Sequence, residues 1–254
     1  MKRNLLDWIL AIIITAIFLF IGFRFFYENP PVIENPLVTP TADAAISFDT
    51  SSYASTTYNI TTGNVTVFAW VNKNSDTDLD FAWGQKTTLD NQNMQFIQRG
   101  AAAGNNQACQ GLTGTADFGV KPDYGKWQFI ACVFDGTNMM GYDFRVDGTL
   151  RATSTAVATR TGTEDGFVIG SVGTNNWNGA VRGLTVVDAV LTQAQLQKIV
   201  LSRNPYSVIS QIELYCPLTS GTDNRCWTGS KQISLTMFNS PSFKVDPPTT
   251  PFPF

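Results

Sequence analysis

Val65-Thr-Val-Phe-Ala-Trp-Val71 is apolar at nearly every position. A strand with one wet face alternates apolar and polar residues, so this run is expected to be covered on both faces, as in the middle of a two-sheet sandwich. Around it, from about Ala44 onward, short apolar and β-branched runs alternate with Gly, Asn and Asp clusters, the pattern of many strands joined by turns. The predicted strands are Ala45–Phe48, Val65–Val71, Phe81–Gln85, Met94–Arg99, Trp127–Phe134, Met140–Val146, Leu150–Ser154, Phe167–Ser171, Ala180–Val187, Glu213–Leu218 and Gln232–Phe238. Asp147-Gly148 lies between two of them and suits the positive dihedrals of a two-residue hairpin turn. One helix is predicted over Leu191–Leu201. Thr192 is its N-cap, Gln195 stands three residues on, and Leu196, Ile199 and Val200 form its apolar face.

Five stretches occur in a telling order: Lys126-Trp-Gln-Phe-Ile-Ala-Cys-Val-Phe-Asp-Gly136, Phe144-Arg-Val-Asp-Gly148, Gly166-Phe-Val-Ile-Gly170, Trp177-Asn-Gly-Ala-Val-Arg-Gly-Leu-Thr-Val-Val187 and Leu191-Thr-Gln-Ala-Gln-Leu196. Together they resemble the laminin-G-like, concanavalin A-like lectin/glucanase superfamily over about Ala45 to Leu201. The resemblance implies an all-β, two-sheet jelly-roll sandwich, to which Glu213–Phe238 would add a closing strand pair. It implies fold more than function, because this architecture hosts lectins, glycosidases, adhesion modules and inert structural domains.

The first 27 residues read as a separate object. Lys2 and Arg3 precede an uncharged run from Trp8 to Phe23, and Arg24 and Tyr27 follow it. Residues 5–27 are long enough to cross the hydrocarbon layer, with Trp8, Phe23 and Tyr27 as membrane-contacting residues and the Trp and Tyr rings at headgroup level. A cleaved signal peptide is the alternative reading, but no small-x-small site follows the apolar run. The basic residues place the N-terminus in the cytoplasm and the bulk of the chain on the other face. The expected organisation is therefore a signal-anchor at 1–27, a proline-rich linker at 28–43, the sandwich at 44–240 and a proline-rich arm at 241–254.

Composition narrows the chemistry. Lys plus Arg number 17 against 20 for Asp plus Glu, a formal net charge of -3, so nucleic acid is not an expected partner. Histidine is absent, which removes Ser-His-Asp and Cys-His nucleophile pairs, histidine-ligated zinc and an imidazole pH switch. The glucanase branch named by the resemblance carries two Glu and an Asp on one strand face, as E-x-D-x-E or E-x-D-x-x-E. No such motif occurs here. Glu164 and Asp165 are adjacent and would point to opposite faces of a strand, so hydrolysis is not expected.

Several candidate sites remain. Asn175, Asn176, Trp177 and Asn178 combine an aromatic ring with amides, the residue types of a carbohydrate site, although the resemblance implies that an aromatic at Trp177 packs beneath its loop. Asp76, Asp78 and Asp80 form the densest acidic run and are candidate calcium ligands, or else a solvated turn; no other cofactor is expected. Asn59 and Asn64 open N-glycosylation sequons. The four cysteines are expected to form disulfides, Cys216 with Cys226 across a short polar loop and Cys109 with Cys132, the other two connectivities remaining open. Two functional readings follow. One is a membrane-anchored structural protein that docks on neighbouring subunits of a large assembly, in a layout resembling minor capsid proteins of membrane-containing virions. The other is a cell-surface lectin or adhesion module that binds glycans.

Overall fold

In the computed structural model the Val65–Val71 run is the body of a ten-residue strand, Asn64–Lys73, hydrogen-bonded on both sides. The structure describes residues 44–49, 51–60, 63–75, 79–85, 93–160, 166–172, 175–218, 225–229, 231–239 and 241–245. The membrane segment, the linker and most of the C-terminal arm lie outside them, as do Asp76, Asp78, Glu164 and Asp165. Among the described residues no helix is long and apolar enough to cross a membrane.

In chain order the strands are β1 (Ala44–Phe48), β2 (Tyr53–Thr56), β3 (Asn64–Lys73), β4 (Asp80–Gln85), β5 (Asn93–Gln98), β6 (Gln107–Gln110), β7 (Thr115–Asp117), β8 (Trp127–Asp135), β9 (Asn138–Arg145) and β10 (Leu150–Val157). Then follow β11 (Phe167–Ile169), β12 (Ser171–Val172), β13 (Asn175–Asn176), β14 (Gly179–Val187), β15 (Leu214–Cys216), β16 (Arg225–Thr228), β17 (Lys231–Ser234), β18 (Thr236–Phe238) and β19 (Ser242–Val245). The first sheet runs β10-β9-β8-β3-β14-β15-β16-β17. Its strand β14 shares one edge between β15 and β1, and β1 carries β19. The second sheet runs β18-β2-β11-β4-β5-β6-β7, with the β12–β13 hairpin beside β4. Pairing is antiparallel throughout except at Asn176↔Phe81. The fold is thus all-β, two sheets in a sandwich consistent with a jelly-roll.

The period of two along β3 decides the layering. Val65, Val67, Ala69 and Val71 face the space between the sheets, where they meet Trp83 and Phe96 of the second sheet. Phe68 and Trp70 face the other way and are buried with Phe129, Phe144 and the apolar side of helix α1 (Gln193–Ser202). The centre of the first sheet, strands β3, β8 and β14, is therefore buried on both faces, which is why β3 shows no alternation. Helix α1 starts as its sequence dictates. Thr192 Oγ1 accepts from the Gln195 amide at 3.3 Å, the Gln195 side chain accepts from the Thr192 amide at 2.9 Å, and Leu196, Ile199 and Val200 are buried.

Two disulfides lock the sandwich. Cys109 of β6 joins Cys132 of β8 across the two sheets, and Cys216 of β15 joins Cys226 of β16 within the first. The hairpin at Asp147-Gly148 forms, but with a three-residue turn rather than the expected two-residue one. The Gly148 amide donates to Arg145 O and the Arg145 amide to Thr149 O, both at 2.9 Å. Only Gly148 takes a positive φ, +81°, while Asp147 accepts from the Thr149 amide. A type I turn followed by one left-handed residue meets these bonds, and Asp147 then needs no unusual dihedral. The predicted strand Gln232–Phe238 is split at buried Leu235, where the chain crosses from the first sheet to the second.

Candidate functional site

At one end of the sandwich the interior changes character. Continuing the inward phase of Val67, Ala69 and Val71, β3 ends in Lys73, whose side chain is fully buried and ion-paired with Asp80 at the start of β4. The Lys73 ammonium also lies 4.7 Å from the centroid of the Trp177 ring, a cation–π arrangement that partly replaces its lost hydration. Trp177 packs in turn against Phe96, with centroids 5.8 Å apart. Its ring is 0 % exposed and its amide donates to Gly170 O at 2.8 Å.

The polar layer continues across the sandwich. Gln98 is buried opposite Asp80, and Gln107 beside it donates to Asp143 of the other sheet at 3.1 Å. Asp143, fully buried, also accepts from Gln128 at 3.0 and 3.1 Å and from Arg151 at 2.7 Å. Burial pushes the Asp143 carboxyl above the ordinary carboxylate range, although Arg151, Gln128 and Gln107 all favour its charged form. Arg151 also reaches Asp123 at 3.2 Å. Two carboxylates therefore share this corner, but both are paired with the same Arg151 guanidinium and Asp143 is sealed from solvent, so these two are not an acid–nucleophile pair open to a sugar.

Above the Lys73–Trp177 contact the chain turns outward. Asn74 and Ser75 follow Lys73 and are exposed. The Asn74 amide nitrogen donates to Asn178 O at 3.0 Å, Asn74 Nδ2 donates to Asn178 Oδ1 at 3.1 Å, and Asn178 Nδ2 donates to Ser75 Oγ at 3.3 Å. Asn175 and Asn176 are half-buried in β13, and Asn176 pairs with Phe81. The result is a rim of side-chain amides held by the buried stack beneath it.

The sequence candidates are thus redistributed. Asn175, Asn176 and Asn178 stand at the rim, but Trp177 offers no ring face to a ligand because both its faces are packed. Asp80 leaves the candidate calcium set: its carboxylate is taken by Lys73, whose ammonium supplies in place the positive charge that a cation would bring. Among the described residues no group of three or more acidic, cysteine or histidine side chains is placed to hold a metal. Asn59 is exposed on the connection from β2 to β3. Asn64 is exposed too, but its sequon Thr66 is fully buried, with Oγ1 donating to Ala189 O at 2.6 Å and accepting from the Leu191 amide at 3.1 Å. Trp8, Phe23 and Tyr27 lie outside the described residues.

Sequence reasoning missed Lys73, Gln98, Gln107, Gln128 and Asp143. The signal was available, since each lies in the inward phase of its own strand: Gln107 with Cys109, Gln128 with Ile130 and Cys132, and Asp143 with Met139.

Comparison with known proteins agrees with this architecture. Among solved structures, a candidate carbohydrate binding protein from Bacteroides ovatus is similar at TM-score 0.60 and 17% identity, covering 83% of this chain and 61% of its own. The enzymatically active domain of tailspike protein 2 from bacteriophage CBA120 is similar at TM-score 0.52 and 11% identity, covering 76% of this chain and 35% of that one. A heptameric SAP-like pentraxin from Limulus polyphemus gives TM-score 0.49 and 14% identity, over 80% of this chain and 95% of the pentraxin. At these identities the likeness to the Bacteroides and tailspike structures is one of fold. The chain spans about three-fifths of the length of the Bacteroides protein. No curated protein matches the sequence. The profile of the concanavalin A-like lectin/glucanases superfamily matches residues 48–197, from the end of β1 into helix α1 and more than half of the chain, and the protein belongs to that superfamily.

Proposed function

We propose that this protein is a non-enzymatic glycan-binding module, displayed on the non-cytoplasmic face of a membrane by residues 5–27, and that the amide rim at Asn74, Ser75 and Asn178 is its binding edge. The observation that carries the reading is the buried Lys73–Asp80–Trp177 stack, which fixes a row of amide and hydroxyl groups toward solvent. Amides and hydroxyls suit a hydroxyl-rich ligand, since each can both donate and accept. The similarity in fold to the Bacteroides protein supports the ligand class. Two disulfides support an oxidising, non-cytoplasmic location for the sandwich.

The test is retention of the detergent-solubilised full chain on a glycan array, with and without a calcium chelator. Retention that survives chelation and is lost in N74A/N178A, at an unchanged melting temperature, is the expected result. A chain that is not retained by any glycan, or whose retention ignores the double substitution, overturns the assignment.

A further inference from the structure

Beyond helix α1, the outward face of the first sheet carries an aromatic pair. Tyr215 of β15 and Trp227 of β16 stand opposite each other on neighbouring strands. By the period of two both point away from the interior, which holds Leu214, Cys216 and Cys226. Tyr215 packs at the margin of the apolar cluster under the helix, but Trp227 joins none of the apolar clusters among the described residues. Both rings are half-buried. Arg225, two residues before Trp227 on the same face, has its Cζ 5.8 Å from the Trp227 ring centroid, and exposed Gln232 of β17 stands opposite Trp227. Two neighbouring aromatic rings with a polar rim form a shallow groove of the kind that takes proline rings.

Strand β19 brings such a segment to this face. β1 and β15 lie end to end along one edge of β14, with Ile46 opposite Val181 and Cys216 opposite Leu184, and the Ile46 amide donates to Leu218 O at 3.0 Å. The next row outward consists of β19, beside β1, and β16, beside β15. Each is antiparallel to a strand that is itself antiparallel to β14, so the two run in the same direction and the Val245 end of β19 faces the Arg225 end of β16. A chain leaving Val245 cannot continue in the sheet. Its row is taken by β16 and the row beyond by β17, and Pro247 and Pro248 bring no N–H to a ladder. The inner side is the filled core, which leaves the outward face. Trp227 lies two strand residues past Arg225, about 7 Å. Two or three residues of extended proline-rich chain, at about 3.1 Å each, cover that distance.

We propose that the proline-rich arm folds back from Asp246 over its own sandwich, with Pro247 and Pro248 on the Tyr215 and Trp227 rings and the Asp246 carboxylate on the Arg225 guanidinium. The arm then covers the aromatic face that the helix leaves open and straps β19 against β1. Prolines suit the role because their fixed φ leaves little conformational freedom to lose on docking.

The test uses the full chain in detergent. All four native cysteines are in disulfides, so K231C/T249C carries one new pair of thiols, one on exposed β17 and one just past the two prolines. A short bismaleimide is expected to join them within one chain at least about tenfold faster than in T155C/T249C, because docking raises the local thiol concentration. Thr155 is an exposed control on β10, at the opposite end of the first sheet. In P247S/P248S, hydroxyl-radical labelling of Trp227 should rise at least about twofold as the ring loses its cover, with the label on Trp127 unchanged. Linkage no faster than in the control, linkage only between chains, or Trp227 labelling that is the same in P247S/P248S and the parent would each overturn the proposal.

Discussion

Replacing Trp177 separates a structural ring from a ligand platform. The ring is fully buried, packs on Phe96, lies under the Lys73 ammonium, and its Nε1–H meets no hydrogen-bond partner among the described residues. Truncating a buried Trp to Ala costs about 3–5 kcal/mol in transfer and cavity terms. For a chain of this size each kcal/mol moves the melting temperature by about 2–4 °C, so W177A should melt roughly 6–20 °C lower. W177F should lose much less, because it keeps most of the ring contacts and removes an unpartnered buried donor. The assay is thermal unfolding of the full chain in detergent, followed by near-UV circular dichroism. A W177A protein that melts with the parent yet no longer binds glycan would refute the reasoning and return the ring to the ligand site.

Other consequences can be measured in the same way. K73M strands the Asp80 carboxylate in the core and should destabilise by about 3–5 kcal/mol, whereas K73M/D80L should recover most of that loss; equal losses in single and double variants would contradict a specific pair. Reducing Cys109–Cys132, which spans 23 residues and staples the two sheets, should remove about 3 kcal/mol, read as a lower denaturation midpoint in reductant. A Cβ on Gly141 would fall 1.9 Å from Phe118 Cε1, so G141A should cost about 1–3 kcal/mol and F118A should relieve part of it in the double variant. The Asp135 carboxyl is held below the ordinary range by the Asn138 amide and side chain and the Thr137 amide. Its stabilisation is complete above the unfolded value of about 3.9 and is lost as pH falls through the folded value. The melting difference between parent and D135N should therefore shrink from pH 5 toward pH 2, and a constant difference would contradict the assignment.

What could be read from the sequence divides along physical lines. Val65–Val71, Trp127–Phe134 and Ala180–Val187 are long runs buried on both faces of a sheet, and burial of that kind leaves an unmistakable apolar stretch. Helix α1 was legible because its capping box and apolar face are local. Strands β2, β6, β7 and β16 were not, since Tyr53-Ala-Ser-Thr56 or Gln107-Ala-Cys-Gln110 is short and carries small or polar residues whose burial depends on distant partners. The same holds at the site. The Asn175–Asn178 loop was visible as a cluster of residue types, but the pairing of Lys73 with Asp80 depends on strand phase across the β3–β4 connection. A row of acidic residues read locally as calcium ligands hid it.

The glycan-binding claim is tested most directly by a crystal structure of the protein with the oligosaccharide it retains best on the array. The account predicts an intact sugar chain hydrogen-bonded to Asn74, Ser75 and Asn178, with Trp177 still buried and Lys73 still on Asp80. A glycan bound on another surface, or one found cleaved, would contradict it.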